Sequence, residues 1–287
     1  AIVTANAWAN PALKGWSKGF CALKNWDEDS LTMGVEAARD CLRGIDSATL
    51  TRLVFASTTP PFQDRSSAGV IASVLNLDAA MRSVNQGGSQ RAATLALIEA
   101  LRANDDTSLV VSADSRPAKP GSVQEAVYGD AAAAMLTGKG QDVIARYVGS
   151  YSLDDDFVDH FQTAGEKYEF HWEERWIRDE GILKIVPNAV KQLLKKTGVA
   201  AESISQFLFS TGANGVAAAV AKRIGIVETA IGNDLMADIG QSGAAHPLLM
   251  LSAALEKAKP GDQILLAAFG NGVDVVLLEI TDAILKL

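Results

Sequence analysis

Apolar residues recur along this chain at two periods, and the switch between them divides it into buried strands and amphipathic helices. In SLTMGVEAARDCLRGI, Leu31, Val35, Ala38 and Leu42 recur at helical spacing, with Asp27, Asp29 and Ser30 as candidate N-caps. Residues 53–57 read as a buried strand, followed by the turn-rich TTPPFQD and a helix over 66–75. A further helix starts in VNQGGSQRAATLAL and runs to residue 103. TSLVVSA at 107–113 is the next strand, and YGDAAAAML at 128–136 follows as a strand whose small side chains imply close packing. The plan then restarts: a strand at 143–151, an acidic and aromatic segment to 176, a helix over 182–196 and a strand at 206–210. The opening AWANPALKGWSKGFCALKNW has weak periodicity and reads as short helices or loops.

The restart is an internal duplication. QFLFSTGANG aligns with RLVFASTTPP, DIGQSGAAHPLLMLSAALEKA with NQGGSQRAATLALIEALRAN, GDQILLAAF with TSLVVSAD, and GVDVVLLEI with GDAAAAMLT. The offset stays near 150 residues, too long for a solenoid repeat and suited to two copies of one α/β unit, 1–141 and 142–287. The second copy opens with a strand that has no counterpart in the first, so a matching strand is expected before Ala1.

The stretch VNQGGSQRAATLAL joins a glycine-rich loop to a helix, which gathers unpaired backbone N–H groups where the macrodipole is positive. Ser89 and Gln90 stand at that junction. A net charge of −8 argues against a nucleic-acid partner, which needs a basic stripe to neutralise phosphates. Two cysteines, Cys21 and Cys41, make no disulfide framework and suit a reducing, cytoplasmic setting. The apolar runs are too short to span a bilayer, and no metal-ligand spacing is visible.

The duplicated halves, together with WDEDSLTMGVEAARDCL, VFASTTPP, SQRAATLAL, YGDAAAAML, GQSGAAHPLLML and LLAAFGNGVD, resemble the thiolase superfamily over essentially the whole chain. Within it the chain is similar to the branch of 3-hydroxy-3-methylglutaryl-CoA synthase and ketoacyl-ACP synthase III. The resemblance implies an α/β thiolase fold, two βαβαβ-like halves in a five-layered αβαβα arrangement. It implies coenzyme A thioesters as substrate, no covalently bound cofactor, and a homodimer or a heteromer with a thiolase-like subunit. An OB-fold zinc-ribbon partner, separate or fused, belongs to the same expectation.

Family members carry a nucleophilic cysteine at the helix start; the matching position here is Gln90, whose amide cannot form a thioester. The family histidine falls on Thr211 of TGAN, of which Ala213 and Asn214 match. The family asparagine falls on Gln241, and the synthase glutamate falls near Thr58 or Thr59. The backbone N–H groups of Gln90, Gly270, Asn271 and Gly272 are expected to form an oxyanion hole. Carbon–carbon bond formation or cleavage on an acyl-CoA is then expected to proceed without an acyl-cysteine. The alternative is a non-catalytic scaffold subunit of an acyltransferase complex.

Tyr128, Glu125, Asp114 and His246 are the conceivable proton carriers. His246 follows Gln241 by five residues, and Pro247 follows it in a first helical turn. Ser89 lacks an evident base. Arg116 and Lys119 are candidates for CoA phosphates, and Asn214 for substrate. His160 and His171, set among eight acidic residues from Asp154 to Glu174, read as part of a solvated or interface insertion.

Overall fold

The computed structural model describes residues 20–103, 107–209, 211–213 and 215–286. Most of the opening Trp-rich stretch, residues 1–19, lies outside them, as does Asn214. The first half contains strands β1 (Arg52–Ala56), β2 (Arg82–Gln86), β3 (Ser108–Asp114) and β4 (Ala131–Thr137), in the order β2-β1-β3-β4. The second half contributes β5 (Ala145–Asp154), β8 (Gln206–Leu208), β9 (Gln263–Phe269) and β10 (Gly272–Ile280), in the order β5-β10-β9-β8. Between them in sequence, β6 (His160–Phe161) and β7 (Phe170–His171) form a separate two-stranded hairpin. β1 runs parallel to β2 and β3, and β8 to β9, whereas β4, β5 and β10 pair antiparallel.

The period-2 side-chain alternation of the strands sets the layers. Val54, Ala56 and Val110 of the first sheet meet Ile264, Leu266, Val276 and Leu278 of the second in one core. The helices α3 (Ala92–Arg102) and α7 (His246–Leu255) fill the space between the sheets, burying Ala93, Ala96, Leu97, Leu248 and Leu251. The alternate residues Leu53, Phe55, Leu109 and Val111 face outward onto α1 (Ser30–Cys41) and α2 (Ser67–Val74). Leu265, Val275 and Leu277 likewise face α5 (Leu183–Thr197) and α6 (Val216–Ile224). The result is the five-layered αβαβα arrangement of the thiolase fold.

Asp29 is the cap of α1: its carboxylate accepts the Thr32 N–H while the Thr32 hydroxyl accepts the Asp29 N–H. Strand β2 and helix α6 are additions to the expected element list. β2 has the sequence RSVNQ and a mostly solvated edge, so no apolar alternation marks it. α6 buries Val216, Val220, Ala221 and Ile224 at helical spacing.

The halves are locked by buried polar contacts near the ends of β3 and α3. Asp114 is fully buried and accepts from the backbone or hydroxyls of Ser57, Thr58 and Thr59, and from the Ala244 N–H across the molecule. Thr58 and Thr59 are thereby committed to Asp114. Tyr128 and Gln241 form a parallel bridge, with the Gln241 N–H donating to the Val127 carbonyl at 2.7 Å. α4 (Val123–Val127) ends at that bridge and delivers Tyr128 to it.

Candidate active site

Gln90 occupies the turn before α3, 7% exposed. The turn between β9 and β10 lies against its backbone. A Cβ added to Gly270 would stand 3.0 Å from Gln90 Cβ and 3.1 Å from its N, a tight approach that glycine makes without displacing the neighbour. Arg91 pins this turn, donating through Nε to the Gly270 carbonyl at 3.0 Å and through Nη2 to the Asn271 carbonyl at 3.2 Å. Its Nη1 reaches the fully buried Asp274 at 3.1 Å, and Asp154 accepts from Nη2. The Gly270 N–H donates within the turn to the Gly272 carbonyl at 2.9 Å. It is therefore not available as an oxyanion donor, contrary to the expectation for that residue.

A cavity of about 340 Å³ opens beside Gln90. Among the candidate site residues singled out in the sequence, Gln90, Arg116, Tyr128, Thr211 and Gln241 line it, while Ser89, Lys119, Asp114, Glu125 and His246 do not. The Ser89 hydroxyl accepts the Arg91 N–H at 3.3 Å. Thr211 Oγ1 is occupied within its own loop by Ala213, accepting its N–H and donating to its carbonyl. Two further positions, Arg116 and His246, differ from expectation. Arg116 is 6% exposed and commits its donors to Glu169, Tyr128 and Gln241, so it is a wall of the cavity and not a phosphate site. His246 is buried behind a separate void of about 30 Å³. Its Nε2 meets the Asp234 carbonyl at 2.7 Å and its Nδ1 the Ser242 hydroxyl at 3.1 Å, and burial lowers its pKa. Both ring nitrogens are engaged structurally.

The segment expected to be a solvated or interface insertion lines the cavity. The hairpin pairs His160 with His171 and Phe161 with Phe170. Alternation puts the two imidazoles on one side and the two phenyl rings, about half exposed, on the other. The imidazoles stack, centroids 5.3 Å apart and planes 16° from parallel, and both line the cavity with Asp159 and Trp172. Asp159 Oδ2 stands 3.0 Å from His160 Nδ1, and His160 Nε2 lies 3.4 Å from Gln90 Nε2. His171 Nε2 stands 2.5 Å from the Tyr128 hydroxyl and 3.0 Å from Glu169 Oε2. Sequence reasoning missed His160, His171, Asp159 and Glu169. The signal that marks them is the mirrored pattern HF and FH around QTAGEKYE, a hairpin register that places two histidines opposite each other.

Electrostatics divide the wall. Burial alone would raise the Glu169 carboxyl, but hydrogen bonds from His171 and Arg116 outweigh it and hold it well below the usual carboxylate range. Burial pushes the Tyr128 phenol far above its ordinary value, and the neighbouring Glu169 carboxylate adds to the rise despite Arg116. Tyr128 therefore stays protonated beside an ionised Glu169. In the cavity wall, Gln90 Oε1 and Asp159 Oδ1 are buried with no hydrogen-bond partner among the described residues. Neither cysteine lines the cavity; burial raises both thiol pKa values, and Asp130 adds to the effect at Cys21. Asp130 itself accepts the Lys24 N–H.

Residues 194–279 match the family model of the 3-oxoacyl-[acyl-carrier-protein] synthase III C terminal. Hydroxymethylglutaryl-CoA synthase of Aeropyrum pernix is 31% identical over 271 residues, 90% of this chain and 74% of the relative. The Methanosarcina mazei protein of the same name is 26% identical over 268 residues, 90% and 76% of the two chains. Among solved structures, a hydroxymethylglutaryl-CoA synthase complexed with CoA superposes with a TM-score of 0.84 at 18% identity, covering 99% of this chain and 79% of that one. The 3-oxoacyl-(acyl carrier protein) synthase III of Pseudomonas aeruginosa gives 0.79 at 19% identity, covering 97% and 92%. These likenesses agree with the layers described above.

Proposed function

The chain belongs to the hydroxymethylglutaryl-CoA synthase family, and on that footing we propose that it makes or breaks a carbon–carbon bond in acyl-CoA thioesters without an acyl-cysteine intermediate. One observation carries the reading: the side chain presented to the cavity at the α3 turn is the Gln90 amide, and neither cysteine of the chain reaches that cavity. A thioester nucleophile must be an accessible thiolate, and both thiols here are held protonated by burial.

The remaining wall suits enolate chemistry. Gln241 Oε1 accepts from Arg116 and from the Gly243 N–H at 3.1 Å, so its amide nitrogen is the end left to donate to a thioester carbonyl. The Gln90 N–H is the backbone donor offered at the same place. Preorganised donors of this kind stabilise an enolate oxygen whether or not a covalent intermediate precedes it. The ordered His, Tyr and Glu groups support catalysis over a purely scaffolding role, which has no use for them.

The test is incubation of the purified protein with acetyl-CoA plus acetoacetyl-CoA and with a panel of 3-hydroxyacyl-CoA thioesters. It is run with and without the OB-fold zinc-ribbon partner that the family resemblance implies. Turnover, followed as acetyl-CoA or free thiol, is expected with no acyl adduct in the intact mass. Absence of thioester binding and turnover, or an adduct mapped to Cys21 or Cys41, overturns the reading.

A further inference from the structure

We infer that His160, oriented by Asp159, is the general acid/base of a reversible aldol cleavage, and that the substrate is a 3-hydroxyacyl thioester whose hydroxyl is received between His160 and Gln90. The inference rests on the function proposed above and assigns its proton carrier and substrate class.

The tautomer follows from two contacts. A carboxylate oxygen 3.0 Å from Nδ1 favours the ring proton there, which leaves a lone pair on Nε2. Gln90 Nε2 is always a donor, and at 3.4 Å it faces that lone pair. The cavity thus presents an amide donor and an imidazole acceptor side by side. A hydroxyl is the group that answers both, accepting from Gln90 and donating to His160. Its N–H···N contact is long for a hydrogen bond, so little is lost when a hydroxyl replaces it. The unpartnered Gln90 Oε1 is a second sign that this amide is unfinished without a bound group.

His171 serves as a positioning residue. Its stack on His160 fixes the plane of that ring, and its Nε2 is held by Tyr128 and Glu169, with Arg116 bracing both. In the cleavage direction, His160 Nε2 takes the proton of the C3 hydroxyl and the O–H electron pair becomes the C3 carbonyl π bond. The C2–C3 bond breaks, and its pair forms the C1–C2 double bond of an enolate whose oxygen is held by the Gln241 amide. The His160 imidazolium then returns its proton to C2, giving a shortened acyl thioester and an aldehyde or ketone. The proton count closes on one histidine, and no oxidant or reductant is required.

The experiment compares the intact protein with His160→Gln, Asp159→Asn and Asp159→Glu, using 3-hydroxyacyl-CoA substrates and their 3-deoxy analogues. Cleavage is read as carbonyl product by mass spectrometry, thioester binding by calorimetry, and folding by circular dichroism. His160→Gln should lower kcat by about 10²–10⁴-fold, the usual share of a general acid/base, while thioester binding persists. His160→Ala should regain part of that loss with added imidazole. Asp159→Asn should lower kcat with KM little changed, and Asp159→Glu should recover most of it. If the intact protein turns over thioesters but His160→Gln keeps its kcat, or if 3-deoxy analogues react equally well, the inference falls while the broader function stands. If the intact protein handles no thioester, both fall together.

Discussion

Gln90 and His160 meet side chain to side chain, Nε2 to Nε2 at 3.4 Å, although they are 70 residues apart and belong to different halves of the chain. The contact means that the Gln90 amide does not stand alone at the start of α3. It faces an imidazole from a hairpin that sequence reading takes for a solvated or interface insertion.

Gln90→Cys therefore places a thiol beside His160 at a helix start, two features that favour the thiolate. The new thiol should be alkylated by iodoacetamide well before Cys21 or Cys41, whose thiols burial holds protonated. Condensation should still be absent, because the Thr211 hydroxyl, at the position that the family resemblance aligns with a histidine, is closed on its own loop. Peptide mapping of the label and a synthase assay check the two halves of this expectation; strong synthase activity in the single variant would contradict the second.

Arg91→Ala should cost about 3–5 kcal/mol, the penalty for leaving a buried carboxylate without its partner. Asp274 is fully buried, and burial raises its pKa despite hydrogen bonds from Ser152, Arg91 and Thr94, so losing Arg91 leaves the carboxylate with hydroxyl partners but without the cation that offsets its burial. The same change releases the carbonyls of Gly270 and Asn271. Urea unfolding should show a lower midpoint with the slope retained.

Stability should fall with acid in two stages. His246 has a folded pKa below its ordinary 6.5, so the unfolded chain binds the proton first, and stability present above pH 6.5 is lost as pH falls toward the folded value. Glu169 has a folded pKa below its ordinary 4.5, so its contribution is complete above pH 4.5 and is lost only in stronger acid. Urea midpoints measured from pH 8 to pH 3 should flatten in the upper window for His246→Gln and in the lower for Glu169→Gln. An unchanged profile in either variant would remove that residue from the account.

Gly129→Ala should prevent normal folding or destabilise by several kcal/mol, since its Cβ would stand 1.8 Å from the Ile239 carbonyl oxygen. The backbone there belongs to the bridge that carries Tyr128 and Gln241 into the cavity. Chemical denaturation and the yield of folded protein measure the effect; wild-type stability would show that the two loops can separate freely.

The layers of this protein are legible in its sequence because they rest on local periodicity. Leu53 and Phe55 alternate with Val54 and Ala56, and the same alternation recurs in β3, β9 and β10, so each strand announces two buried faces and each sheet two helical covers. The repeat then pairs the α3 turn with the Gln241 turn, which brings Gln90 and Gln241 to one cavity. What the cavity contains besides them was decided by tertiary structure. Whether Arg116 meets solvent or Glu169, and whether His246 Nε2 is free or held by the Asp234 carbonyl, depends on partners 53 and 12 residues away that no period encodes. The hairpin is the clearest case. Its register puts His160 opposite His171, but only its fold over the α3 turn turns that pair inward, because a two-stranded hairpin has no core of its own to choose which face is buried.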